Sequence, residues 1–258
     1  MKSLFPLTLA AIVSVVLTSS SPVRAADMDS RIESAAAKSY VFKTYLKDDS
    51  IKTKSQDGVV TLTGTVADSS QKSLAEDTVA NLPGVRKVDN QLVINGEPPA
   101  EHSDTWISMK VKTALLFHRN VSATGTTVYT RDGVVTLEGV ADSEAAKELT
   151  TQYAKDVDNV KEVRNNMTIA TAPAAPDATI GDKIDDASIT AQVKSTLLSH
   201  RSTSAVRTTV STTDGVVTVG GIAKNDAEKT LVTMLATDVK GVTSVINNMT
   251  IAVPVAVR

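Results

Sequence analysis

The chain has no cysteine, only 3 % of its 258 residues are aromatic, and its charges nearly cancel at a formal −2. The first absence excludes disulfide staples, thiolate metal sites and a lipidated N-terminal cysteine. The second means that any core is built from Val, Leu, Ile and Ala and is thin. The third, with a pI near 5.9, removes the basic excess that marks a general nucleic-acid binder. Beyond the first residues, no stretch approaches the ~20 consecutive apolar residues that a membrane-crossing helix needs.

The N-terminus is the exception. Lys2 precedes an apolar run from Leu4 to Leu17, followed by Thr18 to Ser21 and then Val23-Arg24-Ala25. A charged start, a short apolar stretch and small residues at −3 and −1 predict a secretory signal over residues 1–25, cleaved after Ala25. A membrane anchor is the alternative, disfavoured by Pro6 and the short run. The processed chain is then expected to begin near Ala26, in the bacterial periplasm or outside the cell.

What is abundant is repetition. Asp57-Gly58-Val59-Val60-Thr61-Leu62-Thr63-Gly64 returns at Asp132–Gly139 and again at Asp214–Gly221, 75 and then 82 residues on. Asp-Gly opens a tight turn and the Val/Thr/Leu run has strand composition. The spacings suit a small domain plus a linker. A domain of about 65 residues buries only roughly 60 % of its unfolded surface, so each copy is marginal alone.

Each copy reads as helix, strand, strand, helix, strand. In the second, Asp104 can cap a helix with Ile107, Val111, Ala114 and Leu115 on one stripe, and the third repeats this with Asp186, Ile189, Val193 and Leu197. In the first, Ala37, Val41, Thr44 and Tyr45 fill the stripe, which makes the following loop five residues shorter. After the signature strand, Asp68/Gln71 and Asn225/Glu228 have capping-box spacing and start a second helix. The expected fold class is α+β: three tandem αββαβ modules, each a three-stranded sheet with two helices on one face. Their bounds are 28–95, 104–170 and 184–252, joined by Pro-containing semi-rigid spacers. Gly58, Gly133 and Gly215 serve the turns. Gly64, Gly139 and Gly221 mark places where a helix or bulge comes too close for a Cβ.

This pattern resembles the BON domain, named for bacterial osmotically induced and nodulation proteins. The signature strand, the capped helix and a G-V-x-x-V-x-N-x-L-x-V ending recur as Gly84-Val85…Val88…Asn90…Leu92…Ile94, Asn159-Val160…Val163…Asn165…Met167…Ile169 and Gly241-Val242…Val245…Asn247…Met249…Ile251. Asn159 stands where the family has the turn glycine. The resemblance implies envelope maintenance in osmotic stress, association with phospholipid surfaces and, for some members, chaperoning in the periplasm.

The residues themselves offer little for catalysis, which needs an activated Ser or Cys beside a His with an orienting carboxylate, or paired carboxylates in a cleft, so no catalytic, cofactor or metal residue is assigned and no small-molecule substrate is expected. The Asp-Gly pairs lack the ligand spacing of a calcium loop. His118-Arg119 and His200-Arg201 are equivalent pairs; they read either as a cationic or pH-sensitive contact or as cations placed on a helix dipole. Trp106, the only tryptophan, lies near Lys110 and Lys112 and reads either as an anchor at a bilayer surface or as a shield between repeats. Trp106, Lys110, Lys112, His118, Arg119, His200 and Arg201 are therefore the candidate contacts to an anionic phospholipid surface or to periplasmic client proteins. The second copy is expected to bind whatever is bound, so that deleting residues 104–170 abolishes the interaction.

Overall fold

The computed structural model describes residues 22–96, 99–121, 123, 125–170 and 183–252; the expected signal sequence up to Ser21 and most of the second spacer lie outside the described residues. Three modules follow one another. The first comprises α1 (Pro22–Lys38), α2 (Tyr40–Thr44), β1 (Ser50–Gln56), β2 (Val59–Val66), α3 (Ser69–Ala80) and β3 (Lys87–Ile94). The second comprises α4 (Asp104–Leu116), β4 (Thr126–Arg131), β5 (Val134–Ala141), α5 (Glu144–Lys155), β6 (Glu162–Asn165) and β7 (Thr168–Ile169). The third comprises α6 (Asp186–Ser199), a 3-10 turn (Ala205–Arg207), β8 (Thr208–Thr213), β9 (Val216–Ala223), α7 (Asp226–Thr237), β10 (Ser244–Asn247) and β11 (Thr250–Ile251).

The signature strand is central in every sheet. β2 pairs antiparallel with β1 and parallel with β3, and β5 and β9 do the same with their neighbours. Alternation follows from the pleat: Val60, Leu62 and Val66 are buried, whereas Thr61 and Thr63 lie half-exposed on the other side. The motif asparagine explains how the second helix is held to the last strand. Asn165 Nδ2 donates to Lys147 O at 2.9 Å while its Oδ1 accepts from Met167 N at 3.0 Å, and Asn247 does the same with Lys229 and Met249. Asn90 repeats the pattern in module 1. Asn159 takes φ 63, the left-handed conformation that Gly84 and Gly241 adopt at the same turn, and asparagine is among the side chains that tolerate it.

Three expectations need correction. The first helix of module 1 sits five residues earlier than the stripe read from sequence: Ala37 is exposed, and Ile32, Ala36 and Val41 are the buried positions. Ile32 thus matches Ile107, and all three copies have the same distance from helix to turn. The helix breaks at Ser39, whose hydroxyl accepts from Phe42 N and starts α2. Second, Asp104 and Asp186 are not the caps. Ser103 and Asp185 cap those helices, and the aspartates reach across to the Asp-Gly turn instead. Asp104 accepts from Asp132 N at 2.8 Å and Gly133 N at 2.9 Å, Asp186 from Asp214 N and Gly215 N, and Asp29 from Asp57 N and Gly58 N. Those amide hydrogen bonds hold the Asp104 carboxyl below its usual range. Third, the neighbour that excludes a Cβ from Gly64 and Gly139 is not a packed helix, and at Gly221 it is only the last residue of a 3-10 turn. In each case it is the backbone carbonyl at or just before the start of the adjacent antiparallel strand: Ser50, Gly125 and Arg207, the last of these leading into β8.

The modules are packed on one another and not merely strung together. α6 is the hub. Ser188, Gln192 and Thr196 are buried on it alongside Ile189, Val193 and Leu197, because α3 of module 1 and α4 of module 2 cover the faces that its own sheet leaves open. Its small and polar residues permit the close approach. Tyr40 N donates to Asp185 Oδ2 at 2.8 Å, Val41 N to Ser188 Oγ at 3.1 Å, and Lys194 pairs with Asp77 at 3.0 Å. One apolar cluster therefore runs from module 1 into module 3 and takes in Phe117, while the rest of module 2 keeps its own. Sharing a core compensates for the thinness that each copy has alone.

Candidate contact grooves between the modules

Modules 2 and 3 meet through a reciprocal arrangement. Residues at the end of α4 reach the end of α7, and residues at the end of α6 reach the end of α5. His118 Nδ1 lies 2.8 Å from Asp238 Oδ2, and His200 Nδ1 lies 2.8 Å from Asp156 Oδ2. Arg119 N donates to Asp238 O at 2.8 Å, and Arg201 N donates to Asp156 O at 3.0 Å. Asn120 and Ser202 supply the second hydrogen bond to each carboxylate. The seam is thus two-fold in character, as in an isologous dimer, but built within one chain. Module 1 has Lys43 and Asn81 at the corresponding places and docks differently.

A groove of about 580 Å³ opens beside this seam, lined by Trp106 and Lys110 of module 2 and by Leu198, His200, Arg201 and Arg207 of module 3. Three cations face it against one acid in the lining, Asp158. Lys110 Nζ stands 5.5 Å from the Trp106 ring centroid, and Arg207 Nη2 donates to Ser204 Oγ at 2.8 Å. Trp106 is half-buried against the module 2 core and still borders the groove. Such a site can take an anionic group on its cations and an apolar edge on Trp106 and Leu198.

Of the seven residues read as contacts, this groove gathers Trp106, Lys110, His200 and Arg201. Lys112 lies apart, on a second groove of about 370 Å³ walled by Tyr45, Leu74, Met109, Leu116 and Phe117. His118 is enclosed in the seam, and Arg119 binds the carbonyls of Val239 and Val242 at 2.9 and 2.8 Å. Arg207, Asp156 and Asp238 escaped the sequence reading. Asp156 and Asp238 recur at the same 82-residue spacing as the two histidines, which was the available signal. Among the described residues no group of three or more His, Asp or Glu is placed to hold a metal ion, and no helix is long and apolar enough to cross a membrane.

The comparisons agree with the repeat. The model of the family described as BON domain matches residues 28–96, 103–171 and 185–253. The chain is 30 % identical over 190 residues to osmotically-inducible protein Y of Escherichia coli (strain K12), covering 74 % of this chain and 92 % of that protein. It is 30 % identical over 144 residues to an uncharacterized protein in the gshII 5' region of Anaplasma centrale, covering 56 % of this chain and 91 % of that one. Among solved structures, the C-terminal domain of CdsD, a structural protein of the type III secretion system of Chlamydia trachomatis, aligns over 83 % of this chain and 96 % of that chain at 17 % identity with a TM-score of 0.22, too slight a likeness to carry an argument. With three family matches spread over most of its length, the chain belongs to the BON domain family.

Proposed function

We propose that this is an exported, non-enzymatic protein of the bacterial periplasm that supports the cell envelope in osmotic stress by weak, multivalent contact with anionic phospholipid surfaces. The signal-like N-terminus and the osmotically inducible relative support the setting. The observation that carries the contact is the convergence of Trp106, Lys110, Arg201 and Arg207 from two modules on one groove. Lipid phosphates suit the cations, and the indole with the exposed Leu198 suits the boundary between headgroups and acyl chains. At about 1 kcal/mol per basic residue near an anionic surface, three cations give only transient binding, and affinity grows when several contacts act together.

Co-sedimentation of the processed chain with phosphatidylglycerol vesicles tests this. Binding is expected at low salt and should fall as the Debye length shrinks to about 3 Å near 1 M. Replacing Lys110, Arg201 and Arg207 by glutamine is expected to weaken it on the order of 100-fold, the product of three losses of about 1 kcal/mol. Absence of low-salt binding by the folded protein would sink the lipid reading.

One observation favours a second reading, a chaperone-like contact with unfolded or outer-membrane clients. Tyr129 and Val140 on the module 2 sheet, and Ile222 and Ile246 on that of module 3, are 45–58 % exposed, and Tyr129 and Ile246 lie on the edge strands β4 and β10. Suppression of client aggregation in the absence of lipid would select that reading.

A further inference from the structure

The seam between modules 2 and 3 encloses two imidazoles completely, with side-chain exposures of 0 % for His118 and 1 % for His200. Each uses Nδ1 on a carboxylate of the opposite module and leaves Nε2 buried with no hydrogen-bond partner in the protein. The rings stand 5.9 Å apart at 79°. Tyr153 stacks on His118 at 3.8 Å and donates its hydroxyl to Asp238 at 2.8 Å.

The charged and titratable groups around this cluster are Asp238 after α7, Asp156 after α5, Tyr153 on α5, and Arg119 and Arg201 after α4 and α6. Asp238 and the nearby helix ends favour an imidazolium at His118. Arg119 already occupies the carbonyls of Val239 and Val242, however, and Arg201 Nε lies 3.8 Å from Asp156. A neutral ring donating from Nδ1 satisfies the carboxylate. A second proton lands on Nε2, where no acceptor waits and a second imidazole stands opposite, so the charge is buried without compensation.

We propose that this seam is an acid-released latch: His118 and His200 tie modules 2 and 3 together through Asp238 and Asp156, and protonation of His118 at its buried Nε2 releases the tie. Burial pulls His118 below the ordinary 6.5, against the raising pull of Asp238. The stability it contributes is complete above 6.5 and is lost as pH falls through its lower folded value. Asp238 is held below 3.8: burial, the largest influence, raises it, but hydrogen bonds from His118, Tyr153 and Asn120 outweigh that. Its contribution is complete above 3.8 and fails only in stronger acid, so mild acid acts through the histidine. Release parts the two walls of the cationic groove, whatever that groove binds.

Amide hydrogen exchange on the processed chain tests the latch, with rates normalised to the intrinsic rate at each pH. The reporters are the Arg119, Arg201 and Lys240 amides, whose hydrogen bonds cross the seam; the strand amides of β9 are the internal reference. Between about pH 7.5 and about pH 5.5, protection of the reporters is expected to fall by up to roughly tenfold, the ceiling for one histidine when the pH stands about one unit below its ordinary 6.5, while the β9 amides hold. A variant carrying His118→Asn and His200→Asn keeps a donor near each Nδ1 and cannot take the proton; it should lose the pH dependence. Unchanged reporter protection in the unaltered chain overturns the latch, and so does an identical pH response in the variant. If the variant does not fold, the unaltered chain with its β9 reference decides alone.

Discussion

Gly221→Ala is expected to lower the thermal midpoint of the processed chain by about 10 °C, following from a loss of about 4 kcal/mol at roughly 2–4 °C per kcal/mol for a chain of this size. Two costs combine. Gly221 sits at φ +114°, where a side chain costs on the order of 1–3 kcal/mol, and its Cβ would lie 2.0 Å from the carbonyl oxygen of Arg207. That oxygen ends the 3-10 turn immediately before β8, and the next residue, Thr208, pairs with Gly221 in the β8–β9 register, so relief requires the two strands to part there. Gly96 is the control. It also has positive φ, at +89°, but nothing lies within 4 Å of its added Cβ. Gly96→Ala should therefore show only the conformational cost. Melting followed by circular dichroism separates the two, and equal shifts would mean that the close approach at Gly221 is unimportant.

Phe117→Ala is expected to cost about 3–5 kcal/mol, the range for removing a buried aromatic ring, and to uncouple module 2 from the rest. Phe117 is the fully buried module 2 residue of the cluster shared by modules 1 and 3, against which Leu116 and Tyr153 also pack; it is 1 % exposed and meets Tyr45 edge-on at 5.0 Å. Its carbonyl also accepts from Lys240 N at 3.1 Å across the seam. Calorimetry should show one transition for the unaltered chain and two for the variant, the added one belonging to module 2. A single transition at an unchanged midpoint would contradict the placement of Phe117 at the junction.

The repeat made much of each module legible in advance. Val60, Leu62, Leu74, Val79, Leu235 and Val239 are buried as their periodicity requires, and Asp68 and Asn225 start their helices as their spacing requires. The first helix of module 1 was misplaced because Ala35-Ala36-Ala37 gives a weak apolar signal, and Val41 and Tyr45 beyond it fitted a helical stripe of their own. Aligning Asp29 with Asp104 and Asp186 would have fixed the register, but their partner is a backbone turn 28 residues on, which no helical periodicity reveals. α6 was harder. It reads as an ordinary amphipathic helix, yet Ser188, Gln192 and Thr196 are buried because two other modules pack on it. Contacts between modules leave little trace in one sequence when their partners are short polar side chains.

The candidate site follows the same division. Trp106, Lys110 and Arg201 are legible as residue types whereas Arg207 is not, and their convergence depends on how module 3 sits against module 2. Lys110 and Lys112 stand two residues apart in sequence, yet the helix sends them to different grooves. Only the reciprocal seam places Arg201 and Arg207 opposite Trp106.

The most direct measurement places a photoreactive amino acid at Leu198, which is 54 % exposed on the groove, and irradiates osmotically stressed cells producing the protein. Phospholipid adducts that disappear when Lys110, Arg201 and Arg207 are changed to glutamine are the expected result. Adducts to proteins alone, with no lipid captured, would contradict the account.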